Sequence, residues 1–280
     1  MAQLLNQALT PPHGRSFLLD VYAPDHRSPK GTVIFAHGFK GFKDWGHWHL
    51  IAEAFSRAGY CFVKFNFSHN GTTPEQPLDF ADLEAFGQNN FSKELMDLET
   101  VVTWAQSPAS PCDPSGPVFL IGHSRGGPIV LIQAARDPRI KGVITWAAVS
   151  DLEFAWRDPK QVEAWKKAGV FYVLNARTGQ QMPLYFQLYE DFQAHREAYS
   201  AQGAMQALNI PALIIHGEAD TSVPASAALQ LQAWNPRARL HLIAGADHVF
   251  GGSHPWSKPE LPLASRELVD TSIVFLDDLV

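Results

Sequence analysis

The chain of 280 residues has only two cysteines, Cys61 and Cys112. Two cysteines do not form the disulfide framework of a small secreted domain, so the sequence favours a reducing compartment. The N-terminal residues lack a basic stretch followed by a long apolar core, so no signal peptide is predicted. The uninterrupted apolar runs are too short to span a bilayer. We therefore expect a cytoplasmic protein that does not associate with membranes.

Positive charge is also scarce. The 22 lysines and arginines are outnumbered by 28 aspartates and glutamates, which gives a net charge of −6. Nucleic-acid binding requires a basic patch, so no nucleic-acid partner is expected. His47 and His49 lie two residues apart within a helical pattern and point in different directions, so no metal site is predicted. The sequence leaves the oligomeric state open, a homodimer included.

What the chain does contain is a series of short apolar runs without polar alternation. They cover 32–36, 60–67, 117–121, 142–148, 211–216 and 239–244. Runs of this kind are typical of strands that are buried on both faces of a parallel sheet. Segments with helical periodicity lie between them. This alternation predicts an α/β fold with a mostly parallel sheet flanked by helices.

One long segment, 151–207, interrupts the alternation. It has helical patterns and a high density of aromatic residues, but no buried strand is predicted in it. Connections of this length are more often functional insertions than plain loops. We expect a helical lid that forms a substrate pocket, with Tyr172, Tyr185 and Tyr189 as candidate partners for a phenol or a carbonyl group of the ligand.

The pattern Gly-His-Ser-Arg-Gly, centred on Ser124, lies between a predicted strand and a predicted helix. At such a junction it is typical of a nucleophile elbow, a turn so tight that only small residues fit two positions before and after the serine. The turn exposes the serine hydroxyl and directs the N-terminus of the following helix at the reacting centre. Ser124 is therefore the candidate nucleophile.

A serine nucleophile needs a histidine base, and the base needs an acid that orients it. His248 follows the last strand run, and Asp220 follows the strand run before it. The chain order Ser124, Asp220, His248, with each residue after a strand, is the order of the α/β-hydrolase triad. The sequence predicts that these three side chains meet at the carboxyl edge of the sheet.

Other residues near these positions compete for the same roles. Asp151 follows the strand run 142–148 and is an alternative acid. Asp247 is adjacent to the histidine in sequence, which is too close for its side chain to orient the ring easily. His241 lies within a strand pattern, and His254 lies further along a loop rich in Gly, Ser and Pro.

The oxyanion hole is expected from two backbone N–H groups. The sequence His37-Gly38-Phe39 ends an early strand, and the N–H groups of Phe39 and Arg125 could bind a tetrahedral oxyanion together. His37 itself is expected to be structural. Lys40 and Lys43, which follow it, are expected to be exposed to solvent.

The motifs "HGF", "GHSRGG", "HGEADTSVP" and "GADHVFGG", in this order and spacing, resemble the α/β-hydrolase superfamily over about residues 16–280. The chain is most similar to serine esterases of the dienelactone-hydrolase-like and cinnamoyl- or feruloyl-esterase-like groups, which carry a lid insertion after the sixth strand. A true dienelactone hydrolase would have a cysteine nucleophile, so Ser124 counts against that activity.

The resemblance implies one hydrolase domain spanning 1–280 that cleaves small or aromatic carboxylic esters through an acyl-enzyme, without a metal or an organic cofactor. A small-molecule ester is the expected partner. Two alternatives stay open. One is a thioesterase or peptidase that uses the same triad. The other is a non-catalytic ligand-binding protein on the same scaffold, although no triad member is missing here.

Overall fold

The computed structural model describes residues 2–25, 28–153, 156 and 158–280. The strands are β1 (Ala2–Leu9), β2 (Phe17–Ala23), β3 (Thr32–Ala36), β4 (Cys61–Phe65), β5 (Val118–His123), β6 (Ile140–Trp146), β7 (Val170–Leu174), β8 (Gln181–Tyr185), β9 (Ala212–Gly217) and β10 (Arg239–Ile243). The helices are α1 (Trp48–Arg57), α2 (Leu83–Gly87), α3 (Phe91–Ala105), α4 (Gly126–Arg136), α5 (Pro159–Ala168), α6 (Gln187–Ala194), α7 (Ala201–Ala207), α8 (Ser226–Trp234) and α9 (Leu263–Asp277).

Eight strands form one sheet in the order β1-β2-β4-β3-β5-β6-β9-β10. The pairs β1–β2 and β2–β4 are antiparallel, and the remaining neighbours are parallel. The six apolar runs recognised in the sequence are the six strands of the parallel part, so the α/β prediction is confirmed. The antiparallel strands β1 and β2 extend the sheet at one edge and were not predicted.

The central strands are buried because both of their faces contact apolar side chains. In β3, Val33 and Phe35 belong to the hydrophobic cluster on one side of the sheet, whereas Ile34 belongs to the cluster on the other side. In β5, Phe119 and Leu120 alternate in the same way. Since successive side chains of a strand point to opposite faces, a sheet covered on both faces needs apolar residues at every position.

The two cysteines form a disulfide, which contradicts the expectation drawn from their number. Cys61 begins β4 and Cys112 lies in the loop between α3 and β5, 51 residues later, with a Cα–Cα distance of 5.8 Å. Both side chains are buried. Their sequence spacing gave no sign of this contact, because it depends on how α3 returns the chain to the sheet. The premise of the argument for a reducing compartment therefore does not hold.

The segment between β6 and β9 contains α5, α6 and α7, and also the antiparallel hairpin of β7 and β8, which the sequence did not predict. β8 contains Pro183, a residue that normally counts against a strand. β7 is largely exposed, so it lacks a buried apolar face. Of the three helices, α7 packs against α4 and α8, within the helical layer of the main sheet.

Within the described ranges, no helix combines the length and the apolar character that crossing a membrane requires.

Candidate active site

Ser124 occupies a strained turn between β5 and α4. Its backbone φ is +56°, in the left-handed region that non-glycine residues rarely adopt. The flanking glycines are required by close packing: a Cβ on Gly122 would lie 2.3 Å from the carbonyl oxygen of Gly126, and one on Gly126 would lie 2.4 Å from that of Ala36. The sequence therefore forms the tight turn predicted for it, and this turn presents the Ser124 side chain to an open cleft.

The structure brings the three predicted side chains together. His248, in the loop after β10, has its Nε2 atom 3.0 Å from Ser124 Oγ. Its other ring nitrogen, Nδ1, lies 2.7 Å from Oδ2 of Asp220, in the loop after β9. One imidazole ring thus connects the hydroxyl to the carboxylate through its two different nitrogens. This arrangement can remove a proton from the hydroxyl while the carboxylate fixes the ring.

Asp220 is held as a carboxylate by several donors. Its Oδ1 atom accepts hydrogen bonds from the backbone N–H groups of Ser222 and Val223, both at 2.8 Å. Nε2 of His216 lies 3.4 Å from Oδ2. Burial on its own raises the pKa of Asp220, but the hydrogen bonds from His216, His248 and the Val223 backbone outweigh it and lower the pKa. The group is therefore negatively charged at neutral pH, as an orienting acid must be.

The competing residues have other partners. Asp247 accepts the backbone N–H groups of Val249 and Gly251 in its own loop. The ring of His241 contacts Glu267. The Nδ1 atom of His254 accepts the N–H of Gly46 at 2.9 Å, which places this histidine at the wall of the cleft.

The loop after β3 lies directly against Ser124. A Cβ on Gly38 would be 2.8 Å from the Cβ of Ser124, so only glycine permits this approach. Within the described part of the chain, the backbone N–H groups of Phe39 and Arg125 have no hydrogen-bond acceptor. They are thus available, as the predicted oxyanion hole requires. The side chain of Arg125 is paired with Glu94 and lies over the Phe39 ring, 4.7 Å from its centroid.

Two buried histidines position these loops. Nδ1 of His37 donates to Gly38 O at 2.9 Å, and its Nε2 accepts the N–H of Phe67. His123 donates from Nε2 to the backbone carbonyl of His248 at 2.9 Å. Burial lowers the pKa of His37 to about 4 and that of His123 to about 3, so both are neutral at pH 7. The expected structural role of His37 agrees with these contacts, whereas the sequence did not reveal the contact of His123.

Lys43 corrects a prediction about the same loop. The sequence suggested a solvated side chain, but Lys43 is buried and its Nζ atom lies 2.8 Å from Oδ1 of Asp20 and 2.6 Å from Oδ2 of Asp44. Lys64 contacts both of these carboxylates as well. Nothing in the sequence indicated the burial of Lys43, because one carboxylate partner, Asp20, comes from the distant strand β2 and the other, Asp44, from the loop itself. The network fixes the loop that carries the Phe39 N–H group.

A cleft of about 410 Å³ opens at Ser124. Its walls come from the loop after β3, the start of α1, the nucleophile turn, the hairpin between β7 and β8, and the loop after β10. The lining residues are His37, Gly38, Phe39, Lys40, Gly41, Trp45, Trp48, His123, Ser124, Asn175, Arg177, His248, Val249, Gly252, Ser253 and His254.

None of the three tyrosines expected in the pocket lines this cleft. Tyr172 is 54% exposed, and Tyr185 donates to Glu84 at 2.5 Å. Tyr189 packs among the aromatic rings of the inserted segment, which include Trp156 and Trp165. Aromatic density in the sequence therefore indicated packing of the segment itself. The polar residues Asn175 and Arg177, which do line the cleft, carried no signal that sequence analysis could use.

Within the described ranges, no group of three or more His, Cys, Asp or Glu side chains is arranged to hold a metal ion.

A family model described as "Alpha/beta hydrolase family" matches residues 33–260. The chain belongs to the alpha/beta hydrolase family. A curated relative, the monoacylglycerol lipase of Mycolicibacterium smegmatis, is 30% identical over 125 residues, which cover 45% of this chain and 39% of that protein. The match to this relative thus spans about two fifths of its length.

Two solved structures have the same fold. Est1E from Butyrivibrio proteoclasticus, in a structure with bound ferulic acid, superimposes with a TM-score of 0.67 at 19% identity and covers 98% of both chains. The structure of DcsB with its substrate analogue gives a TM-score of 0.76 at 18% identity and covers 100% of both chains.

Proposed function

We propose that this α/β hydrolase cleaves small or aromatic carboxylic esters, hydroxycinnamate esters included, through a covalent acyl-enzyme on Ser124. The observation that carries the proposal is the connected arrangement of Ser124, His248 and Asp220, in which the histidine uses one ring nitrogen for each neighbour. Serine, base and orienting acid in this geometry are the shared requirement of serine acyl transfer on unrelated folds.

In the proposed reaction, His248 Nε2 takes the proton of the Ser124 hydroxyl while Oγ attacks the ester carbonyl carbon. The N–H groups of Phe39 and Arg125 bind the resulting oxyanion, and each such donor contributes about 10²–10³ in turnover. The intermediate collapses as the imidazolium protonates the leaving alkoxide. Water, deprotonated by the same histidine, then attacks the acyl-enzyme, and the acid is released.

The inserted segment acts in this proposal as a lid that forms part of the substrate pocket. Support comes from Asn175 and Arg177, which lie in the turn after β7 and line the cleft. Selectivity is therefore expected to depend on the segment 151–207. A cytoplasmic location remains a prediction, and its argument no longer includes unpaired cysteines, because disulfides are rare in that compartment.

An ester panel tests the proposal. We expect kcat/KM to be higher for acetyl, butyryl and feruloyl esters than for acyl chains of about twelve carbons, because a cleft of about 410 Å³ fits only small ligands well. The matched amides of the same acyl groups are expected to react far more slowly. Thioesters of the same acyl groups complete the panel, and a faster reaction with them would assign a thioesterase instead.

Preference for long chains would overturn the substrate class, and it would favour the activity for which the Mycolicibacterium smegmatis relative is named. A matched variant in which a short linker replaces 151–207 tests the lid. If this variant folds and its selectivity is unchanged, the lid has no role in selectivity.

A further inference from the structure

The cleft at Ser124 carries positive charge although the whole chain has a net charge of −6. Lys40 and Arg177 both line it, together with the amide side chain of Asn175. No aspartate or glutamate of the described residues lines it. A cleft lined by charges of one sign attracts ligands of the opposite sign and raises their local concentration.

Lys40 lacks the kind of partner that Arg125 has. Arg125, adjacent to Ser124 in sequence, is neutralised by the carboxylate of Glu94. Lys40 Nζ instead donates to the backbone carbonyl of Leu174 at 3.2 Å, and burial lowers the pKa of this lysine. Among the described residues, no carboxylate lies within ion-pair distance of Lys40. Its charge is thus partly removed from water without being neutralised.

Arg177 also lines the cleft without a carboxylate partner among the described residues. Its guanidinium carbon is 5.9 Å from the centroid of the buried Phe42 ring. Burial and then the charge of Arg177 lower the pKa of the neighbouring His254, while Asp79 and Asp44 act in the opposite direction. Neither acid lines the cleft, and in the described part of the chain Arg177 has no ion-pair partner. Because neither Asp79 nor Asp44 lines the cleft, the part of the cleft wall that Arg177 forms stays positively charged.

Asn175, which lines the cleft with Lys40 and Arg177, adds a hydrogen-bond donor that has no acceptor among the described residues. The residue is 6% exposed, and its Oδ1 accepts the backbone N–H of Arg177 at 3.2 Å. Its Nδ2 atom is buried and has no hydrogen-bond partner among the described residues. Buried polar groups are normally satisfied, and this donor belongs to a residue that lines the cleft, so a small reorientation of the amide would let it bind an acceptor on a ligand.

We propose that the cleft binds ester substrates that carry a carboxylate group separate from the ester being cleaved, and that Arg177, Lys40 and Asn175 form the subsite for it. A guanidinium binds a carboxylate with two parallel hydrogen bonds, a lysine adds a point charge, and an amide N–H adds a further donor. This inference rests on the proposed ester hydrolysis and names its substrate class.

Two rigid pairs of esters test it. On the acyl side, 4-nitrophenyl hydrogen terephthalate is compared with its methyl ester. On the alcohol side, 4-acetoxybenzoate is compared with methyl 4-acetoxybenzoate. The ring prevents the carboxylate from attacking its own ester. We expect kcat/KM to favour the charged member of at least one pair by about tenfold or more, because hydrogen bonds to charged groups are strong. The preference should decrease with added KCl.

The variants Arg177→Gln and Lys40→Gln should each lower kcat/KM for the preferred charged ester at least about five times more than for its neutral partner. Matched controls remove the same charges elsewhere. Arg239→Gln removes an exposed arginine paired with Asp278, and Lys141→Gln removes an exposed lysine that, like Lys40, donates to a backbone carbonyl. These controls should keep the full preference for the charged ester.

Preference for the neutral member in both pairs, or an unchanged charge preference in Arg177→Gln and Lys40→Gln, would overturn the subsite. Calorimetric binding of the charged esters to Ser124→Ala separates this failure from failure of the proposed function. Binding that Arg177→Gln weakens, in a protein that hydrolyses no ester, would support the subsite and refute ester hydrolysis. Rapid ester hydrolysis without a preference for the charged esters would support ester hydrolysis and refute the subsite.

Discussion

Among the described residues, a second group of serine, histidine and aspartate can be compared with the group at Ser124, and the comparison shows what makes the first a candidate for catalysis. In the first group, Ser124 and Asp220 contact opposite nitrogens of His248. The second group comes from the loop after β1, the loop after β4 and the helix α3. There, Ser68 Oγ lies 3.3 Å and Asp97 Oδ1 lies 2.9 Å from the same atom, Nε2 of His13.

The difference in the use of the ring nitrogens has a direct chemical consequence. A histidine that accepts a proton on one nitrogen while donating from the other can pass charge from a hydroxyl towards a carboxylate. A single nitrogen cannot donate to a carboxylate and accept from a hydroxyl at the same time. His13 can therefore hold the second group in place, but it cannot accept the proton of Ser68 while it donates to Asp97.

Burial separates the two groups further. Ser68 is 2% exposed and does not line the cleft, and its backbone N–H is also bound to Asp97 Oδ2 at 2.7 Å. Its hydroxyl contacts Nδ1 of His69 at 2.7 Å as well. Every polar atom of this serine is used within the structure. Identical residue types thus serve packing in one place and are presented to a cleft in the other.

The largest expected difference is in ester turnover between the variants Ser124→Ala and Ser68→Ala. Ester turnover should fall by at least about 10³ in Ser124→Ala, because the nucleophile is lost while binding and the oxyanion donors remain. Ser68→Ala should keep ester turnover within about twofold of the original chain at a temperature where it is folded. Steady-state kinetics on a short-chain ester measure both. Retention of more than a tenth of the rate in Ser124→Ala would refute the assignment.

Asp220→Asn should lower turnover by about 10²–10⁴, because the amide no longer holds the histidine in the required tautomer. Asp151→Asn is the matched control, since Asp151 is the other acid at a strand end that the sequence offered. Circular dichroism establishes that both variants are folded. A mild effect of Asp220→Asn together with a severe effect of Asp151→Asn would show that Asp151, and not Asp220, orients His248.

His69, which contacts Ser68 of the second group, should affect stability in acid. Burial, followed by the charges of Lys93, Arg15 and His13, lowers its pKa from 6.5 to about 3. The unfolded state therefore binds the proton first, so stability is complete above pH 6.5 and is lost as the pH falls. Between pH 7 and pH 5 the original chain should lose about 2 kcal/mol more unfolding free energy than His69→Gln. Urea unfolding at pH 7 and pH 5 measures this loss, and an equal loss of unfolding free energy in the two proteins would contradict the prediction.

A further prediction concerns the contribution of Ser68 to stability. Ser68→Ala removes a buried hydroxyl that contacts His13 and His69, so the free energy of unfolding should fall by about 1–3 kcal/mol. Ser115→Ala, a serine whose hydroxyl bonds Asp113 in an exposed loop, is the control and should change stability by less than about 0.5 kcal/mol. Equal effects at both positions would mean that the buried contacts add nothing.

The sequence predicted the sheet and the triad because both depend on local patterns. Runs buried on both faces have no polar alternation, and the turn at Ser124 requires glycines at fixed offsets. Asp220 and His248 follow from the rule that parallel strands end at one edge. The predicted contacts between them are observed.

The remaining features depend on contacts between distant segments. The disulfide of Cys61 and Cys112 and the burial of Lys43 arise only when separate elements meet. β1 is exposed over most of its length, so it lacks the apolar signal that marks the inner strands. Asn175 and Arg177 reach the cleft through a hairpin whose strands are exposed or contain proline. No local pattern distinguishes such residues.

Covalent labelling with a fluorophosphonate probe tests the central claim most directly, because the probe reacts rapidly with an activated serine and not with ordinary serine hydroxyls. We predict one adduct per chain, located on Ser124 by peptide mass spectrometry, absent from Ser124→Ala and retained in Ser68→Ala. Its rate of formation should fall in Asp220→Asn. An unlabelled chain, or an adduct on a serine other than Ser124, would contradict the account.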